Sequence, residues 1–193
     1  MNTVNFVTSN SGKVASLQRY FDGLGITATI KQHSLDIIEP QADSGTEVAR
    51  AKARAAYQLL NEPVLVDDSS FHISALGGFP GPYIKYMLST IGIEGIISFM
   101  QGKTDRSAYF LSSLVFVDQK GEEHVFEDES YTGTIAEAIV DVDAPNAWSD
   151  LFKIFKPTGS SKVLGELTLE ELNTTNKDTD SYNQFSVWFK GVQ

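Results

Sequence analysis

Residues 63–86 constrain this chain more than any other stretch. They read Pro-Val-Leu-Val-Asp-Asp-Ser-Ser-Phe-His-Ile-Ser-Ala-Leu-Gly-Gly-Phe-Pro-Gly-Pro-Tyr-Ile-Lys-Tyr. Val64-Leu65-Val66 is short, apolar and rich in β-branching, the pattern of a buried strand. Asp67 and Asp68 follow at once. This spacing predicts two carboxylates at the carboxyl end of a core strand, where open α/β sheets keep their ligand crevice. Gly77-Gly78-Phe79-Pro80-Gly81-Pro82 is too dense in glycine and proline for a regular element, so a sharp turn is expected. Tyr83, Ile84, Met87, Leu88 and Ile91 then keep a helical spacing, with Pro82 placed as a helix starter. On this stretch alone two readings of the acidic pair stay open. It is a solvated strand end with turn residues, or a pair that holds a hard cation or takes a proton from water.

The N-terminal part supplies a second candidate region. Residues 4–7 read as the first strand, and Val14, Leu17, Phe21 and Leu24 mark the apolar stripe of a helix stopping near Gly23 or Gly25. Between them lies Thr8-Ser9-Asn10-Ser11-Gly12-Lys13. A small polar loop at a helix N-terminus suits an anion, because free N–H groups and the positive dipole end point into it. The same residues are also good helix caps. The spacing is not that of a Walker loop. Residues 28–31 suggest a second strand, and an alanine-rich helix is expected from Gly45 or Thr46 to Leu60. Glu47 lies in its first turn, where the helix dipole favours an acid, and Lys52 follows five residues later.

Beyond the central stretch, residues 93–100 read as a short apolar helix ending at Gly102. Residues 107–118 read as an aromatic, β-branched core strand, with a turn at 119–122 and a returning partner at 123–132 that residues 134–140 extend. This hairpin, at about 107–140, is the expected protruding lobe of a single domain spanning 1–193. Residues 144–159 read as irregular, with two or more of Trp148, Phe152 and Phe155 in the core. Thr168 and Glu171 have capping-box spacing, residues 173–180 are polar, and residues 184–189 close the chain as a helix or strand.

The formal charge of −10 argues against a broad basic face for a nucleic-acid polymer. It leaves room for a small anionic substrate held by a metal and a few lysines. The absence of cysteine excludes disulfide, zinc-thiolate and thiol-nucleophile chemistry. His33, His72 and His124 are scattered and suggest neither a zinc site nor a histidine-based triad. No stretch has the length of apolar sequence that a membrane span needs, and the first residues lack a signal-peptide pattern, so a cytoplasmic protein without membrane contact is expected.

Four motifs in order resemble the inosine triphosphate pyrophosphatase family. They are Thr8, Asn10 and Lys13 after the first strand; Glu47 five residues before Lys52; Asp67-Asp68 after a strand; and Gly77, Gly78, Pro80, Gly81 and Tyr83 in the turn. The resemblance covers most of the first 110 residues, with a weaker match at Lys162 and Glu166. It implies an α/β fold: an elongated mixed β-sheet flanked by helices, with two lobes, a central nucleotide cleft and usually a homodimer. It also implies Mg²⁺-dependent cleavage of a nucleoside triphosphate between the α and β phosphates, giving the monophosphate and pyrophosphate. On that reading Glu47 with Asp67 or Asp68 supplies oxygen ligands to Mg²⁺. Asp68 activates or orients the attacking water, and Lys13 and Lys52 neutralise phosphate charge. Thr8, Asn10, Lys13, Ser69, Gly81, Tyr83, Trp148, Lys162 and Lys177 complete the expected substrate contacts.

The base-recognition half departs from the family. An aromatic-Asp-Pro segment is represented by Trp148-Ser149-Asp150-Leu151-Phe152, without the proline. The family's late lysine falls on Leu172. Its Ser-His-Arg triplet falls on Asn176-Lys177-Asp178 without gaps, or on Ser181-Tyr182-Asn183 with an insertion. Neither restores the histidine and arginine, which predicts altered base selection, with Lys177 as the candidate substitute cation. Three functions follow for test: an inosine/xanthosine triphosphate pyrophosphohydrolase, a related hydrolase of another nucleotide, and a binding protein without turnover.

Overall fold

A computed structural model describes residues 3–144, 147, 149–168, 170–172 and 180–192. The described elements are, in chain order, β1 (Thr3–Val7), α1 (Ser11–Leu24), β2 (Thr29–His33), α2 (Gly45–Leu60), β3 (Val64–Ile73), β4 (Pro80–Gly81), α3 (Ile84–Thr90), α4 (Gly92–Phe99), β5 (Ser107–Val117), β6 (Glu123–Ile135), β7 (Phe155–Pro157) and α5 (Ser181–Gly191). Short 3₁₀ turns occur at Ser74–Leu76, Asp150–Lys153 and Leu164–Glu166. The sheet is mixed and flanked by helices, as expected for the α/β class.

The chain divides into two compact units. The first holds Met1–Ser69, Ser112–Asp128 and Asp178–Gln193. Its strand order is β2-β1-β3-β5-β6, with β1 parallel to both β2 and β3. Two cores cover the two faces of these strands. Leu65 packs with Leu17 and Phe21 of α1 and Phe185 and Phe189 of α5. Val64 and Val66 pack with Ala49, Ala53 and Ala56 of α2. This split follows from the period-two alternation of a strand. The alanine face lets α2 lie close to the sheet.

The second unit holds Ser70–Leu111 and Glu129–Lys177. Here β3 pairs with β4, and β6 with β7, both antiparallel. Its core gathers Phe71, Ile73, Met87, Ile96, Phe110, Leu151, Phe152 and Phe155. Two or more of the three aromatic residues expected inside are therefore core: Phe152 and Phe155. Trp148 lies outside the described residues.

Three local expectations change. The strand carrying the acidic pair does not end at Val66 but continues to Ile73. Phe71 and Ile73 are buried on the alternating pattern, and Phe71 and His72 pair with Gly81 and Pro80. That pairing also makes Pro80–Gly81 a short strand inside the glycine-rich turn. Within residues 144–159, expected to be irregular, β7 forms because Phe155 and Pro157 take alternate buried positions against β6. Gly133 of β6 stands opposite Pro157, and a Cβ there would overlap the Lys156 carbonyl and come within 2.8 Å of the Phe155 ring.

Candidate active site

The site is built where the parallel strands end. β1 pairs with β3 only as far as Val7 opposite Val66. The next residues of each strand leave the pairing together: Thr8 on one side, Asp67 and Asp68 on the other. The acidic pair thus stands at the carboxyl end of the parallel part of the sheet, although its own strand runs on.

Alternation along β3 sends the two carboxylates to opposite faces. Asp67 follows Leu65 toward α1 and α5, and Asp68 follows Val66 toward α2. Lys13, in the first turn of α1, approaches Asp67: its Nζ lies 3.2 Å from Oδ2, 3.3 Å from the Asp67 carbonyl and 3.5 Å from Ser69 Oγ. The Tyr182 hydroxyl, in the first turn of α5, donates to Asp67 Oδ2 at 2.5 Å. Ser112 and Ser69 hydroxyls face Oδ1 at 3.4 and 3.5 Å. Both oxygens of this buried carboxylate are therefore supplied with protein donors. Burial and the adjoining Asp67 push the Tyr182 hydroxyl well above its usual range.

On the other face, Lys52 of α2 places its Nζ 3.1 Å from Asp68 Oδ1 and 2.8 Å from Glu39 Oε1. One ammonium thus joins two carboxylates from different segments. Burial raises the Asp68 pKa, against the opposing pull of Lys52 and Lys13. Burial pulls Lys52 down, but Asp68 and Glu39 outweigh it and the net shift is upward. Glu39 comes from the loop before α2 and carried no signal in the sequence beyond acidity.

The loop from Thr8 to Gly12 is a cap in this structure. Asn10 N–H donates to Thr8 Oγ1 at 3.1 Å, and Asn10 Oδ1 accepts from Gly12 N–H at 2.8 Å. Asn10 is the N-cap of α1, and Lys13 leaves the first turn on the side of Asp67. Both readings of this loop remain compatible, since a capped helix start can still receive an anion.

Among the described residues, the expected trio Glu47, Asp67 and Asp68 does not form a group with ligand atoms within 4.8 Å of one another. Glu47 is exposed at the start of α2, where its N–H bonds the Ser44 cap. Asp67 and Asp68 face apart because consecutive strand residues do. Among the described residues, the acid-histidine group with ligand atoms within 4.8 Å of one another is Asp118, Glu122 and His124, at the β5–β6 turn. There Asp118 Oδ1 accepts from the N–H groups of Lys120 and Glu122 and shapes the turn.

Other expected contacts belong to the second unit. Gly81 is buried with φ +57° in β4, and Tyr83 caps α3 and is partly exposed; both belong to the second unit. Lys162 of that unit pairs with Glu171 at 2.9 Å. Leu172 packs on the second unit's core. Lys177 and Trp148 lie outside the described residues, as do Asn176 and Asp178. Of the two registers for the triplet, Ser181-Tyr182-Asn183 reaches the site, through Tyr182.

Comparison with known proteins agrees with this architecture. The chain is 35% identical over 185 residues to a dITP/XTP pyrophosphatase of Thermococcus kodakarensis, covering 96% of each chain. It is 34% identical over 171 residues to inosine triphosphate pyrophosphatase 2 of Trypanosoma cruzi, covering 88% of this chain and 83% of the relative. Among solved structures, Ham1 proteins of Staphylococcus aureus and Coxiella burnetii share the fold, with TM-scores of 0.81 and 0.83 at 22% identity. Each covers 99% of this chain and is itself covered completely. A model of the Ham1 family matches residues 4–188, and the chain belongs to that family.

Proposed function

We propose that this chain is a nucleoside triphosphate pyrophosphohydrolase acting on the inosine and xanthosine triphosphates and their deoxy forms, with Mg²⁺. The relatives' names support the reaction class. The observation that carries the reading is the pairing of Asp68 with Glu39 across Lys52, one residue along β3 from Asp67, which Lys13 of α1 approaches.

Asp68 and Glu39 offer oxygen donors only, and two carboxylates plus phosphate oxygens are the usual protein share of a magnesium site. When bound there, Mg²⁺ would draw charge from the phosphate oxygens as the α–β bond breaks. Asp68 orients the water and takes its proton as the water oxygen bonds to phosphorus. Lys52, displaced from the two carboxylates, and Lys13 both carry charge that offsets the departing pyrophosphate. Asp67, filled by protein donors, holds Lys13 rather than metal.

The protein would act on the nucleotide pool of the cytoplasm as a homodimer. Exposed Phe79, Tyr83, Tyr86 and Ile91, close in sequence within the second unit, support the dimer, since an interface would cover exposed apolar side chains. Light scattering on the purified protein checks it.

Incubation with a panel of nucleoside triphosphates and Mg²⁺, followed by pyrophosphate detection, tests the function. Release from inosine, deoxyinosine and xanthosine triphosphates supports it. Release from a different nucleotide alone keeps the phosphate chemistry and moves the base specificity. No release from any nucleotide refutes it.

A further inference from the structure

We propose that Asp67 is a holding acceptor that keeps Lys13 in place until a polyphosphate arrives, and that Tyr182 sustains Asp67 when Lys13 leaves. This deepens the pyrophosphatase reading and rests on it for the identity of the natural ligand. Tyr182 is on this account a positioning residue: it acts through Asp67.

The contacts of Lys13 are long. Its three oxygen neighbours lie at 3.2, 3.3 and 3.5 Å, whereas a tight ammonium–carboxylate bond is about 2.7–2.9 Å. Lys52 has its nearest carboxylate oxygen at 2.8 Å. Lys13 is also the more exposed of the two, with 25% of its side chain accessible against 18%. It stands on the first turn of α1, beside the exposed loop at Ser9–Gly12, on a flexible four-carbon stem. A loosely held cation next to a helix N-terminus is placed to transfer to an anion.

Asp67 has no such freedom. Its side chain is 2% exposed. A buried carboxylate that loses its cation is strongly destabilised unless other donors remain. Tyr182 is the shortest of those donors, and its ring is fixed. It stacks on Tyr20 at 6.3 Å and meets Phe6 edge-on at 6.5 Å. The Tyr20 hydroxyl bonds Asp180, whose other oxygen caps α5 at Asn183 N–H. The neighbouring Ser181 hydroxyl donates to Ser112, which itself faces Asp67. The hydroxyl of Tyr182 is thereby held on Asp67 Oδ2 whether or not Lys13 is there. With that donor removed, Asp67 depends more heavily on Lys13 and retains it against the phosphate.

The test is binding of inorganic tripolyphosphate to the full chain, measured by calorimetry without metal, for the unaltered protein, Tyr182→Phe, Asp67→Asn and the double variant. Phenylalanine keeps the ring stack and loses the hydroxyl. Tyr182→Phe should bind about tenfold more weakly, the effect of one hydrogen bond to a charged group. Asp67→Asn should bind at least as tightly as the unaltered protein, and the double variant should match Asp67→Asn. In turnover of inosine triphosphate the loss from Tyr182→Phe should fall on KM rather than kcat. Equal affinity of Tyr182→Phe and the unaltered protein overturns the proposal. So does the same tenfold loss on the Asp67→Asn background, a loss confined to kcat, or an unaltered protein that does not bind tripolyphosphate. If Tyr182→Phe does not fold, Ser112→Ala removes another donor to the same carboxylate and must weaken binding in the same way. An intact binding pattern without pyrophosphate release from any nucleotide removes the enzymatic reading and leaves this one standing.

Discussion

Asp67 and Asp68 adjoin in sequence and face opposite sides of β3, each toward a lysine from a different helix: Lys13 of α1 for Asp67, Lys52 of α2 for Asp68. An extended strand permits nothing else, since successive side chains alternate. Two neighbouring acids therefore act here as two separate carboxylate–lysine units. One is packed among hydroxyl donors, and the other is shared with Glu39. The proposed division of labour rests on this geometry: Asp68 for water and metal, Asp67 for the placement of Lys13.

Replacing Asp68 by asparagine should abolish the base while leaving the packing intact. Turnover should fall by roughly 10²–10⁴, the usual share of a positioned general base. The thermal unfolding curve should stay close to that of the unaltered protein, because a partly buried charge is exchanged for a neutral group of the same shape. Pyrophosphate release and circular dichroism melting read the two effects separately. An Asp68→Asn protein that turns over normally would remove Asp68 from the chemistry.

Glu39 and Glu47 give opposite forecasts for magnesium. Glu39 shares Lys52 with Asp68, whereas Glu47 is exposed in the first turn of α2. Glu39→Gln should raise the Mg²⁺ concentration for half-maximal turnover by about tenfold or more, as one of two carboxylate ligands is lost. Glu47→Gln should shift it much less, its main cost being a weaker helix start. A magnesium titration of both variants decides. A larger shift for Glu47 would return the metal to the helix start.

Much of this fold is legible in the chain. Alternation and helical spacing mark β1, α1, α2, β5 and α3, because each buries one face on a regular period. The capping box at Thr168 and Glu171 is present, with reciprocal bonds of 2.8 and 3.2 Å. The end of β3 is hidden because Asp-Asp-Ser-Ser reads as a turn. Pairing with β4, across the glycine-rich loop, keeps it extended. At the site, Lys13, Lys52 and the two aspartates carry local motifs. Glu39 and Tyr182 do not: their roles arise from contacts with Lys52 and Asp67 that no local pattern encodes. Tyr182 follows a span of polar residues whose length hides the register.

His72 should make stability depend on pH. Its Nε2 lies 2.9 Å from Ser70 Oγ, its ring stacks on Tyr109 at 4.8 Å, and it bonds the Gly78 backbone. Burial lowers its pKa below 6.5, only partly offset by Gly78 and by Glu129, the charged group facing it. The unfolded chain therefore takes up this proton first as pH falls. Its contribution to stability is present above the unfolded value of about 6.5 and is lost as pH drops toward the lower folded value. Urea unfolding at about pH 7.5 and 5.5 should show a smaller pH effect for His72→Gln than for the unaltered protein. An imidazole midpoint above 6.5 by NMR would reverse the sign and sink the prediction.

Gly133 should be the least replaceable position of β6. It faces Pro157 across the antiparallel β6–β7 pair, whose register continues through Thr134 opposite Lys156 and Ile135 opposite Phe155. An added methyl group would overlap the Lys156 carbonyl, a backbone atom that cannot rotate aside as a side chain can. Relief requires β7 to move, and Phe155, fully buried at ring distances of 5.0 Å from Phe110 and 5.8 Å from Phe71, would move with it. Gly133→Ala should therefore cost about 3 kcal/mol or more, the upper range for overpacking. Gly102→Ala provides the contrast: nothing lies within 4 Å of a Cβ there, so only the strain of φ +71° is incurred, about 1–2 kcal/mol. Denaturant unfolding of both variants measures the difference, and a Gly133→Ala chain as stable as Gly102→Ala would show that β7 is free to yield.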